Sequence, residues 1–192
     1  MRSNRALFLI VGVTLAAAPA LRAQAPAGEP PMPKPGPEHE LFKQDAGTWD
    51  ATVESWMAPG APPMTSKAVE TNVLGCGGLC LVTEFKGDFG GMPFDGHGTS
   101  AYDSTKKKYV GSWTDSMSMG LMIGESTYDP AKKVVTGYME GPDMTGKVVK
   151  SKSVVEYKAD GSRVFTMYNK TPDGKEVAGM RITYVKRKSG TY

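Results

Sequence analysis

The stretch AYDSTKKKYVGSWTDSMSMG, residues 101–120, carries the pattern on which the fold reading rests. One strand ends at Tyr102-Asp103, a polar turn runs through Lys106, Lys107 and Lys108, and a second strand follows from Tyr109 to Asp115. Asp and Ser open such turns because their side chains bind the turn's own amides. Working outward, the arrangement recurs in YDPAKKVV (128–135), YKADGSRV (157–164) and YNKTPDGKEV (168–177), each a tyrosine, a polar turn and a new strand. Asp129-Pro130 suits a type I turn, and Asp160-Gly161 and Asp173-Gly174 suit tight hairpins. Strand-like runs between turn signals at about ten-residue intervals mark an antiparallel sandwich or barrel. Short links join neighbouring strands, so the spacing predicts an all-β domain: a single antiparallel up-and-down barrel of about ten strands, whose closure removes exposed edges. An open β-sandwich is the rival that the same turn spacing permits.

Side-chain alternation assigns the inner face. In GKVVKSKSVVEY (146–157), Lys150, Lys152 and Glu156 share one face, which leaves Val149, Ser151, Ser153, Val155 and Tyr157 to point inward. In LCLVTEFKG (79–87) the same reasoning turns Leu81, Thr83 and Phe85 inward against Glu84 and Lys86. The expected interior is apolar with interspersed hydroxyls.

Four regions follow from composition. Residues 1–23 read as a secretory signal peptide, with Arg2 and Arg5 ahead of an apolar run and small residues before cleavage after Ala23 or Ala25. The run is shorter than a membrane span and ends at Pro19, so no membrane anchor is expected after cleavage. Residues 24–37 read as a proline-rich linker, 38–188 as the barrel domain and 189–192 as a C-terminal tail. GPEHELFKQDAG (36–47) reads as one short helix at the domain's start, with Pro37 in its first turn and Gly47 to stop it. The expected location is the periplasm or the exterior. Cleavage removes Arg2, Arg5 and Arg22 and leaves as many basic as acidic residues, so the basic balance of the whole chain is no sign of nucleic-acid binding. Cys76 and Cys80 are the chain's two cysteines. In an exported protein they can close a disulfide across a glycine turn or stay as free thiols. No further ligand stands nearby to make a metal site, so neither a metal nor a cofactor is expected.

The order GPEHELF, GTWD, LGCGG, GMPFDGHGTSAYDSTKKKYVGSWTDSMS and PDGKEVAGMRITYVKRK resembles the bacterial domain-of-unknown-function 1579 (DUF1579) family along nearly the whole mature domain. A more distant likeness, through a helix followed by Gly47-Thr48-Trp49, is to the calycins: the lipocalin, fatty-acid-binding and nitrobindin-like barrels. The calycin resemblance implies that Trp49 closes one barrel end and stacks on a basic residue of the last strand, here Arg181, Lys186 or Arg187. Two features depart from it. Nitrobindin-like haem proteins use a histidine near the C-terminus, and this chain has none after His97. Fatty-acid-binding barrels hold a carboxylate with Arg-x-Tyr, whereas Arg181 and Tyr184 are three apart and face opposite ways.

No catalytic constellation is recognised. His97 alternates with Asp95 and Thr99, opposite Phe94 and Tyr102, so it is expected to face solvent. The serines lack a nucleophile elbow. The candidate ligand-binding residues are Trp113, Asp115, Tyr102, Met117, Met119 and Arg181. Tryptophan and methionine would supply adaptable apolar wall, and Asp115 or Arg181 a polar anchor. Asp115 has a second reading, as the cap of the turn that follows it, and alternation leaves open which face Arg181 takes. The function expected is the binding of a small apolar or amphipathic ligand. The alternatives are an enzyme using the same cavity, with Asp115 and His97 as its acid and base, and a filled barrel that makes protein contacts.

Overall fold

The computed structural model describes residues 32–171 and 173–188. The segment read as a signal peptide, most of that read as a linker and that read as a C-terminal tail lie outside them. A 3-10 turn at Pro37–His39 runs into α1 (Glu40–Asp45). Ten strands follow: β1 (Gly47–Ser55), β2 (Met64–Gly75), β3 (Cys80–Phe89), β4 (Met92–Asp103), β5 (Lys108–Asp115), β6 (Met122–Asp129), β7 (Val134–Pro142), β8 (Val148–Tyr157), β9 (Arg163–Lys170) and β10 (Glu176–Lys186). Each pairs antiparallel with the next, and β10 returns to β1 to close the barrel, with Trp49 opposite Lys186 and Ser55 opposite Met180. The up-and-down barrel is therefore the fold, and the sandwich is not.

The turns use one device repeatedly. The Oδ1 atoms of Asp103, Asp129, Asp143 and Asp160 each accept hydrogen bonds from amides two to four residues on. This local satisfaction makes the Asp-led turn a hairpin connection in its own right. Strand closure is sealed by apolar residues. Trp49, Ala51 and Val53 of β1 and Ile182 and Tyr184 of β10 are buried together with Ala68 and Phe85. Ala51 stands opposite Tyr184, and Val53 opposite Ile182, so the seam between first and last strands presents one continuous inner face.

Because every connection is a hairpin, the turns alternate between the two ends of the barrel. One end is plugged by α1. Tyr109 donates its hydroxyl proton to the Glu38 carbonyl at 2.9 Å, and Lys186 donates to the Gln44 carbonyl at 3.0 Å. The Trp49 indole donates to the Asp45 carbonyl at 2.9 Å. Phe42 packs edge-on against Tyr109, and His39 against Tyr102. The β2–β3 turn belongs to this end, and there Cys76 and Cys80 are joined as a disulfide. Cys76, Gly77 and Gly78 all have positive φ, the tight left-handed path that two glycines make accessible. Among the described residues no helix is long and apolar enough to cross a membrane.

Candidate functional site

The barrel encloses a cavity of about 650 Å³. Its walls are mainly apolar, with Phe85, Phe94, Trp113, Phe165, Met139 and Met180 prominent among them. The inward hydroxyls expected from alternation are present: Thr83, Ser151 and Ser153 all line it, beside Leu81, Val149 and Val155. The mouth, opposite α1, is edged by Asp88, Asp115, Met117, Ser118, Asp143 and Met144.

Trp113 is the best-held wall residue. Its indole lies over Gly96 and Gly98 of β4, where an added Cβ would collide with the ring. These two glycines explain the odd Gly-His-Gly: they clear space for Trp113 inside, and His97 between them points out. Asp115 fixes the indole from above, accepting from Trp113 Nε1 at 2.8 Å, from the Met117 amide at 2.8 Å and from the Ser118 hydroxyl at 2.9 Å. Asp115 thus borders the cavity and caps its own turn at once.

The floor is polar; alternation turns Thr83 and Tyr157 inward but assigns nothing to its charged residues. Arg163 of β9 is 6% exposed, and its guanidinium sits between the rings of Trp49 and Tyr184, 4.5 and 4.4 Å from their centres. Nη1 lies 3.0 Å from Asp45 Oδ1, and Nη2 pairs with Glu70 Oε1. Asn72 donates to Glu70 Oε1 at 2.6 Å and to the Asp45 carbonyl at 3.1 Å, Thr83 donates to Asn72 Oδ1 at 2.6 Å, and Tyr157 donates to Asp45 Oδ2 at 2.9 Å. Burial raises the Asp45 carboxyl above its ordinary value, outweighing the opposing pull of Arg163. Burial also pushes the Tyr157 and Tyr184 hydroxyls up, with the neighbouring carboxylates adding to the rise. For Arg163, burial works against the charge but the two carboxylates keep it protonated.

Three candidates stand away from the cavity. Tyr102 is on the inner face of β4, but at the plugged end, packed on His39 and Tyr109. Met119 is 71% exposed, because residues 116–121 leave the strand and its alternation stops there. Met122, which begins β6, lines the cavity beside Met117 instead. Arg181 lies outside: Met180, Ile182 and Tyr184 form the inner set of β10, and Arg181 rests on the Trp56 ring at 5.5 Å, 4.0 Å from Glu54. The cation over Trp49 also needs correcting. Lys186 of the last strand does approach the ring at 5.1 Å, but the closer stack is Arg163, from the strand before it, while Arg187 binds Asp50. His97 faces solvent on the outer wall, 3.3 Å from Asp95, so it does not share the cavity with Asp115. Glu84, Asp95 and His97 bring their ligand atoms within 4.8 Å of one another there, but all are exposed and Lys86 already pairs with Glu84 at 2.7 Å.

The family described as "Protein of unknown function (DUF1579)" matches residues 34–186, the plug and all ten strands. The chain belongs to the DUF1579 family. No curated protein matches the sequence. Two solved structures resemble this DUF1579 barrel. Rv2717c from M. tuberculosis has a TM-score of 0.61 at 11% identity, over 80% of this chain and 99% of its own. The S-type phycobiliprotein lyase CPES from Guillardia theta has a TM-score of 0.54 at 14% identity, over 80% of this chain and 94% of its own. At such identities the likeness concerns the fold.

Proposed function

We propose that the mature DUF1579 barrel is an exported binding protein that holds a small apolar or amphipathic molecule in its interior. The observation that carries this reading is the cavity itself: about 650 Å³, within the range of small-molecule sites at roughly 300–1,000 Å³, with apolar walls and a few convergent polar groups. Trp113, held over two glycines, is the central wall contact, and Met117 lends a thioether that adapts to ligand shape. Asp115 keeps Trp113 in place. The two groups considered as an acid–base pair, Asp115 and His97, lie on opposite sides of the barrel wall, so binding accounts for this interior better than catalysis does.

The test is mass spectrometry of small molecules carried by the natively purified protein, followed by thermal melts with each one. A ligand specific to the folded state, at one hundred times its dissociation constant, adds about 2.7 kcal/mol. Trp113→Ala is expected to abolish the ligand-dependent shift, and His97→Ala to leave it intact. Because Trp113→Ala also costs about 3–5 kcal/mol as a core deletion, shifts are compared and not melting points. A shift that survives Trp113→Ala would remove the interior as the binding site.

A further inference from the structure

Charge is unevenly distributed over the cavity wall. Among the described residues lining it, Asp45, Glu70, Asp88, Asp115 and Asp143 bring carboxylates, and Arg163 is the one lysine or arginine. That cation is already committed, between two rings and to two acids. An entering carboxylate would therefore meet acids on several sides with no free cation to receive it, in a setting where charges are poorly screened. At the mouth each acid is answered locally: Asp115 by Trp113, Met117 and Ser118, Asp143 by the amides of Thr145 and Lys147, Asp88 by the amide of Gly91. The floor is different. Two carboxylates share one guanidinium there. Two buried side-chain atoms there have no hydrogen-bond partner, Asp45 Oδ1, with Arg163 Nη1 3.0 Å away, and Arg163 Nε; Asp45 itself is 8% exposed. A buried carboxylate oxygen without a donor is costly, and a donor with positive charge relieves it most.

We propose that the cavity takes a cationic amphiphile: an apolar body bearing an ammonium or similar N–H group, seated with its head at the Asp45–Glu70 floor. This rests on the pocket reading above and names the chemical class of its occupant. The head brings a second positive charge to the two carboxylates that share Arg163, and a donor for Asp45 Oδ1. The apolar body lies along Phe85, Trp113, Phe165 and the thioethers of Met139 and Met180, all on the cavity wall. The aromatic faces of Phe85 and Trp113 along the route also attract a cation.

Calorimetric titration of the folded, mature protein near neutral pH with decylammonium, decanol and decanoate, each below its micelle concentration, separates head from chain. Decylammonium is expected to bind at least about tenfold tighter than decanol, equivalent to about 1.4 kcal/mol, with decanoate weakest. In Asp45→Asn the ammonium's advantage over decanol falls to within about twofold, while decanol binds as before. Should that variant fail to fold, Ser100→Lys serves in its place: Ser100 lines the cavity opposite Leu81, and a lysine there is expected to reverse the order of ammonium and carboxylate. Equal affinities for the three chains, or tightest binding of decanoate by the wild type, would overturn the cationic head and leave the pocket standing. An ammonium preference undiminished in every folded variant would overturn the floor as its seat. If none of the three chains binds the folded protein, the pocket reading falls, and the head-group assignment with it.

Discussion

Arg163 and Arg181 illustrate how little a residue's type says about its energetic weight. Arg163 is enclosed by Trp49, Tyr184, Asp45 and Glu70, whereas Arg181 lies half-exposed on Trp56. Removing one partner of a buried ion cluster leaves the others unpaired, so Arg163→Met is expected to cost about 3–5 kcal/mol in urea unfolding. Arg181→Ala is expected to cost no more than about 1 kcal/mol, as for an exposed pair. Asp45 adds a pH dependence. Its carboxyl is raised in the folded protein, chiefly by burial, so the folded state holds that proton more tightly than the unfolded state does. Its contribution to stability is present at low pH and is lost as pH rises from the ordinary value of 3.8 through the raised folded value. Asp45→Asn has no such titration. Wild-type stability, measured relative to this variant, should therefore decline as pH rises across that window, and a flat difference would show that the carboxyl is unperturbed.

Short elements at the plugged end show local chemistry serving the barrel. Helix α1 is too short to be stable alone, and it is held by donors that come from β1, β5 and β10 onto its carbonyls and those of the preceding turn. Burial is also the main cause that pushes the Tyr109 hydroxyl up to about 12, so it stays a proton donor to the Glu38 carbonyl at any ordinary pH. The β2–β3 turn is held by the Cys76–Cys80 disulfide, which closes a loop with a sequence separation of 4. For so small a loop the chain-entropy estimate is about 2 kcal/mol. The Cys76→Ser, Cys80→Ser double variant should lose about that much in urea unfolding, and reductant should bring the wild type to the same value. Since neither Cys76 nor Cys80 is among the residues that line the cavity, ligand affinity is expected to stay as it was. A wild-type protein indifferent to reductant would show the thiols to be free.

For the whole molecule, closure resolves two problems at once. Ten strands without a free edge cannot recruit a neighbour's strand, and the closed sheet encloses an interior that the side chains of Trp113, Phe85 and Phe165 line without filling. The plug shuts one end and leaves the other as the way in. The same unit sits behind a sequence that reads as a signal peptide and a proline-rich tether. Mass analysis of the chain recovered from the cell envelope or medium is expected to show a start after Ala23 or Ala25. Recovery of a chain that still begins at Met1 would overturn the export reading.

The strand count, the Asp-led turns and the inward set of Leu81, Thr83 and Phe85 could be read from sequence, because each depends on residues within a few positions of one another. Trp113 was also legible as an inner residue. The signal in Gly96-His97-Gly98 was there, two glycines alternating with an outward histidine, but it acquires meaning only opposite an indole. Alternation defines two faces without saying which is inside, so it left Arg181 undecided, and it stops where the strand stops, which displaced Met119. Tyr102 has the expected inward side, but a helix formed 60 residues earlier fills that end, and filling is a property of the assembled barrel. Arg163 and Glu70 are 93 residues apart, and Tyr157 and Asp45 are 112 apart. No local pattern joins them. A buried carboxylate or guanidinium is tolerable only where its partners arrive together, and closing the barrel is what brings α1, β2, β8 and β9 to one point and makes a polar floor there.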